Sequence, residues 1–135
     1  VTVLKAIGAH DCGTIINPMA LEGQIMGGMT IGLGYALLEE MRIEKGIVLN
    51  PNFLEYKLPL AVDVPEMEAF AVESYDEGGP FGAKGVGNSS VSGMAPAIAN
   101  AIFDALGVRV MELPITEGKI LNALRNVQEK KNKIA

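Results

Sequence analysis

The sequence predicts an α+β fold: a mixed or antiparallel sheet with a long Gly-rich helix and two further helices on one side. Three observations carry that expectation. Short stretches alternate polar and apolar, at the start of the chain and in "EAFAVESYD". The run "PMALEGQIMGGMTIGLGYALLEEM", residues 18–41, is long and apolar enough for a helix of several turns. Two later runs, 93–107 and 117–129, carry apolar residues at helical spacing.

Taken in order, residues 1–10 read as a strand, and "HDCG" and "NP" are turn chemistry. Asn17 suits an N-cap and Pro18 a first helical position, because that position needs no N–H partner. Five glycines lie inside the long helix: Gly23, Gly27, Gly28, Gly32 and Gly34. Each costs about 1 kcal/mol relative to Ala in a helix interior. Gly23 and Gly27, and Gly28 and Gly32, repeat at four-residue spacing, which predicts a nearly flat helix face. Close packing against a sheet or helix explains such a face, and so does a bulky ligand or partner lying along it. Residues 42–49 read as a short strand near the "KG" turn. Pro51, Pro59 and Pro65 break the stretch that follows into loop. A strand over "EAFAVESYD" precedes the Gly-rich segment. Gly107 closes the second helix, "VRVMELP" reads as a short strand, and Thr116 caps the third helix. The last residues, 130–135, are expected to fray.

The chain has 135 residues, 49% of them hydrophobic, which suits one domain or a fragment with a real core. Its net charge is −5, and the only basic run is "KKNK", so nucleic-acid binding is not expected. No apolar run reaches the length of a membrane span, so no membrane role is expected. The single Cys12 excludes an internal disulfide and is read as a small buried residue. With one His in the chain, His10 and Asp11 do not suggest a protein-built metal site, and metal ligands are predicted to be none. A soluble cytoplasmic location is the expectation. The first residue is Val1 and falls within a strand pattern, which reads as a fragment, a processed subunit or a piece of a longer polypeptide.

The segment "GGPFGAKGVGNSSVSG" packs six glycines and one lysine into residues 78–93. Lys84 stands between Ala83 and Gly85, so the segment is not the phosphate loop G-x-x-x-x-G-K-[ST]. Gly82, Gly85 and Gly87 do not have the dinucleotide-fingerprint spacing either. Successive glycines still free backbone N–H groups to form an anion nest, and Lys84 adds a cation. A plain tight turn ahead of a helix explains the segment equally well.

Three motifs in sequence order, "INPMALEGQIMGGMTIGLGYALLEE", "NFLEYKLPLAVDVPE" and "GPFGAKGVGN…APAIANAIFDALGVRV", resemble the C-terminal part of one subunit. It is the molybdenum-cofactor-binding subunit of the xanthine dehydrogenase and aldehyde oxidase (molybdenum hydroxylase) family. The resemblance spans about residues 3–125. It implies an oxidoreductase that hydroxylates an N-heterocycle or aldehyde with water as oxygen source. It implies molybdopterin with Mo, often as its cytosine dinucleotide, shared with the rest of the subunit and not bound by this chain alone. The implied partners are that remainder, iron–sulfur and FAD subunits, and a small-molecule substrate. Residues 1–135 would be a C-terminal portion of a molybdopterin-binding domain, not active as this chain alone. By the same likeness Gln24 approaches the cofactor, Gly23, Gly27 and Gly28 let the helix come close, and Lys84, Gly85, Val86 and Gly87 run beside the metal centre. Tyr56 and Lys57 of "YKLP" fall near a channel wall in relatives, and an ordinary strand edge explains them as well.

Asn88 departs from the family pattern. The pattern reads "GVGE", with its Glu the general base at the metal centre, and this chain reads "GVGN". An amide cannot take that proton at neutral pH, and a positioned base contributes about 10² to 10⁴ in rate. Standard hydroxylation is therefore in doubt. A branch with altered chemistry, a decayed paralogue that holds cofactor without turnover, and an engineered substitution are the three explanations. The reading from another class is a non-catalytic truncated or decayed relative, a structural module that forms homo-oligomers. An isolated chain is expected to expose an apolar face along residues 23–34 and self-associate.

Overall fold

A computed structural model describes residues 1–134, with the side chains of residues 130, 131, 133 and 134 left outside. The third helix, expected over 117–129, runs on to Ile134, and of the stretch 130–135 expected to fray only residue 135 lies wholly outside the described residues. The elements run β1 (Lys5–Asp11), α1 (Pro18–Leu37), β2 (Ile43–Glu44), β3 (Ile47–Val48), β4 (Glu66–Val72), α2 (Ser89–Leu106) and α3 (Glu117–Ile134). The expected mixed α+β architecture is present.

β1 and β4 pair in parallel, with Lys5 opposite Glu66 and Asp11 opposite Val72. Parallel neighbours need a long crossover, and α1 with the segment after it provides one. Lys5 ties the pair at its start by bonding Glu66 and Glu68. β2 and β3 form a separate antiparallel hairpin. The strand expected over 42–49 is therefore two short strands, because Lys45 and Gly46 turn the chain within it at positive φ.

The predicted start of α1 is present: Asn17 Oδ1 accepts from the Ala20 N–H at 3.0 Å, with Pro18 first in the helix. α1 is the central element, packed against α2 and against β1 and β4. Ile25, Met29, Leu33 and Ala36 of α1 meet Met94, Ile98 and Ile102 of α2 in the core, joined by Ile115 and Ile120. Burying each large apolar side chain contributes about 1.5–3 kcal/mol. α2 begins at Ser89, one turn earlier than expected, and ends as expected on Gly107 in the left-handed region at φ 68. The Thr116 hydroxyl accepts the Lys119 N–H at 3.3 Å at the start of α3.

Two expectations are corrected. "VRVMELP" forms no strand, since among the described residues nothing pairs with it along its length; Val108 and the following Ile115 are instead buried, and Ile115 N–H donates to the Ala36 carbonyl. The apolar face expected along residues 23–34 is largely covered, because Ile25, Gly28, Met29, Gly32, Leu33 and Gly34 are buried. A helix apolar all round is one with neighbours on several sides.

Candidate functional site

The glycine positions of α1 divide. Advancing about 100° per residue, Gly23 and Gly27 lie on a different side of the helix from Gly28 and Gly32. The single flat face expected from the spacing is two faces. Gly28 sits against Ser90: a Cβ there would be 1.7 Å from Ser90 Oγ. Gly32 sits against Met94, with a Cβ placed 2.6 Å from the Met94 Cβ. Both glycines let α1 and α2 approach. Gly23 and Gly27 are exposed, and no described atom lies within 4 Å of a Cβ built at either.

Gln24 stands beside that open side. Its Nε2 donates to the Gly87 carbonyl at 3.2 Å, and its own carbonyl accepts from Ser90 Oγ at 3.4 Å. These bonds bring the Gly-rich segment to the first two turns of α1. Gly85 and Gly87 are exposed with open space where a Cβ would be, while Val86 packs against the core. Gly23, Gln24, Gly27, Gly85, Gly87 and Asn88 are thus exposed backbone and amide groups around one junction.

Asn88 occupies the N-cap position of α2 and is exposed. Its side chain makes no capping bond, so the first N–H groups of α2 receive nothing from it. Such N–H groups carry the positive end of the helix dipole and suit an anion.

Lys84 is placed differently from its neighbours. Its Nζ donates to Asp11 Oδ2 at 2.7 Å and to Ser74 Oγ at 3.0 Å. Ser74 Oγ donates to Asp11 Oδ1 at 2.6 Å, and Gly13 N–H donates to the same oxygen at 3.1 Å. Hydrogen bonds from Lys84, Ser74 and Gly13 hold the Asp11 carboxyl down at about 2, and Asp11 in turn raises Lys84. The cation expected in an anion nest is therefore matched by a carboxylate, and anion recognition beside it falls to backbone N–H groups.

Asp11, Ser74 and Ser90 were not singled out for this junction by sequence. Asp11 was weighed only beside His10 as a metal ligand, and among the described residues no group of His, Cys, Asp and Glu could hold a metal. Ser90 had a faint signal as a small residue able to face a glycine; Ser74 had none. Cys12 is buried as expected, its Sγ donates to the His10 carbonyl at 3.2 Å, and burial pushes the thiol up. Tyr56 OH donates to Glu39 Oε2 at 2.6 Å, which pushes the phenol up to about 12 and fastens the 52–57 loop to the end of α1. A cavity of about 830 Å³ lies between β1 and α2, lined by Leu4, Ile7, Ala97, Ile98 and Leu106 and reaching Ser90. Among the described residues no helix is long and apolar enough to cross a membrane.

Residues 1–65 match the molybdopterin cofactor-binding domain family. The chain is 41% identical over 122 residues to the xanthine dehydrogenase molybdenum-binding subunit of Escherichia coli O157:H7, covering 89% of this chain and 16% of that protein. It is 36% identical over 130 residues to the aldehyde oxidoreductase molybdenum-binding subunit of Escherichia coli K12, covering 94% of this chain and 18% of that one. The crystal structure of quinoline 2-oxidoreductase from Pseudomonas putida 86 superposes with a TM-score of 0.85 at 32% identity, over 92% of this chain and 16% of that chain. The chain therefore spans about a sixth of the length of the curated relatives it matches.

Proposed function

We propose, on the premise that this chain belongs to the xanthine dehydrogenase and aldehyde oxidoreductase family of molybdenum-binding subunits, that it forms one wall of a molybdenum-cofactor cavity. The carrying observation is the open junction where Gln24 bonds the Gly87 carbonyl beside Gly23, Gly27 and Gly85, all without side-chain atoms over them. The residues fit a pterin: bare backbone allows close approach of a flat ring system, and amide and N–H groups match its donors and acceptors. Gly23, Gln24, Gly27, Gly85, Val86 and Gly87 would hold it, with Gly28 supporting them from the packed side and Lys84 through its bonds to Asp11 and Ser74. When bound, the cofactor supplies the redox chemistry of hydroxylation. The first N–H groups of α2 bind an anionic or electron-rich atom at the junction. Asn88 orients such an atom by hydrogen bonding and cannot remove a proton from it.

Residues 1–135 are read as a C-terminal portion of a molybdopterin-binding domain, and the remainder of the subunit as the first partner. Exposed apolar residues support this, among them Phe53 at 78%, Leu54 at 79% and Val62 at 88% exposure. Apolar surface of that extent rarely faces water. The cytosine dinucleotide form of the cofactor, iron–sulfur and FAD partners and a small N-heterocycle or aldehyde substrate complete the reading.

The second reading, a non-catalytic module, draws its support from Asn88 alone. Purification of the native assembly through this chain, with mass analysis and molybdenum determination, separates the two. Larger subunits with stoichiometric molybdenum are expected. A metal-free homo-oligomer of this chain would overturn the cavity-wall reading.

A further inference from the structure

We propose that Asp11 is a positioning residue for the candidate site: through Lys84 and Ser74, its carboxylate sets where residues 85–88 stand against Gln24. Three segments distant in sequence converge on this one side chain. Asp11 ends β1, Ser74 follows β4, and Lys84 opens the exposed stretch. The carboxylate accepts from Lys84 Nζ at 2.7 Å, Ser74 Oγ at 2.6 Å and Gly13 N–H at 3.1 Å.

The backbone around it is equally committed. Lys84 N–H donates to the Cys12 carbonyl at 2.9 Å, and Thr14 N–H donates to the Gly82 carbonyl at 2.9 Å. Gly13 is at φ 61, and a Cβ on it would stand 2.4 Å from the Gly82 oxygen. Only a glycine lets the β1 end and the loop lie so close. Immediately beyond Lys84 the contacts thin out: Gly85 and Gly87 have open space around them. The next fixed points are Val86, packed against the core, the Gln24 bond to Gly87 and the buried Ser90. Ordering each backbone residue costs about 1–2 kcal/mol, more in a glycine-rich stretch. A stretch held at a few points shifts when one of them is lost. The Asp11 cluster is one of them, and it fixes position while leaving Gly85 and Gly87 uncovered.

This rests on the proposed function only for its effect on cofactor, not for its effect on the loop. The test uses the intact protein that contains this chain, comparing wild type with Asp11→Asn, Lys84→Met, the double variant and Lys84→Arg. Amide hydrogen exchange is read over 83–91, where Lys84 N–H donates to the Cys12 carbonyl and Val91 N–H to the Asn88 carbonyl, and at 5–11, with molybdenum content alongside. Asn at position 11 keeps an acceptor for Gly13 but loses the charge. Exchange over 83–91 is expected to rise about three- to tenfold in Asp11→Asn and in Lys84→Met, a range set by charged hydrogen bonds weakened by solvent exposure. The double variant should match the larger single effect, Lys84→Arg should stay near wild type, and 5–11 should be unchanged. If Asp11→Asn does not accumulate folded, Ser74→Ala removes one bridge and should raise exchange over 83–91 by a smaller factor. Unchanged exchange over 83–91 in the folded variants, or effects that add in the double variant, would overturn the proposal. Faster exchange in a protein that never held molybdenum would keep the positioning role and reject the cofactor reading.

Discussion

Two pairs of glycines on α1 share one spacing and have opposite surroundings. Gly28 and Gly32 are buried against Ser90 and Met94 of α2, while Gly23 and Gly27 face open space beside Gln24. Four-residue spacing says which residues stack along a helix; it does not say what they stack against. On one side the missing side chains bring two helices together. On the other they leave a bare stretch of backbone next to the loop that carries Asn88. The closed side is about folding, and the open side is where the proposed cofactor wall lies.

The largest expected effect is on the open side. Asn88→Glu in the complete molybdenum-containing assembly should raise turnover of an aldehyde or N-heterocycle by about 10² to 10⁴, the range for a positioned base. Steady-state kinetics with the metal content held equal would show it. No gain would mean that the open face lacks more than a base.

The closed side should respond in stability. Gly32→Val would force β-branched bulk against the Met94 side chain and the Val91 carbonyl, which a Cβ at Gly32 would approach to 2.7 Å. Overpacking of this kind costs about 1–3 kcal/mol, visible as a lower midpoint in denaturant. Gly23→Ala and Gly27→Ala should do the reverse, each stabilising by about 0.5–1 kcal/mol through helix propensity. The same two variants should lower molybdenum content. Full metal occupancy in the double Gly23→Ala, Gly27→Ala protein would break the assignment of the open side as the cofactor wall.

The smallest effect concerns pH. The Asp11 carboxyl is held at about 2 by Lys84, Ser74 and Gly13, below its usual 3.8. Its contribution to loop position is present in full above about pH 4 and is lost as pH falls toward 2. Protection over 83–91, taken relative to the intrinsic exchange rate at each pH, should therefore fall over that interval in wild type, and Asp11→Asn should show no such step.

Much of the fold was legible because it follows local rules. Asn17 and Pro18 mark the start of α1, Gly107 the end of α2 and Thr116 the start of α3, each through bonds within a few residues. The failures involve distance. "VRVMELP" alternates like a strand, yet a strand needs a neighbour, and among the described residues none pairs with it there. Ser74 carried no signal, because its partners Asp11 and Lys84 lie 63 and 10 residues away.

By itself the sequence determined the α+β class, the helix ends, the glycine-rich character of α1 and the loop, and the amide at position 88. Those depend on backbone sterics, capping and residue chemistry, which act locally. Only the tertiary structure decided that Gly28 and Gly32 serve packing, that Gly23 and Gly27 stay open, and that Lys84 is matched by Asp11. Those outcomes depend on which surfaces meet when β1, α1, β4 and α2 assemble, and no short-range pattern encodes that meeting.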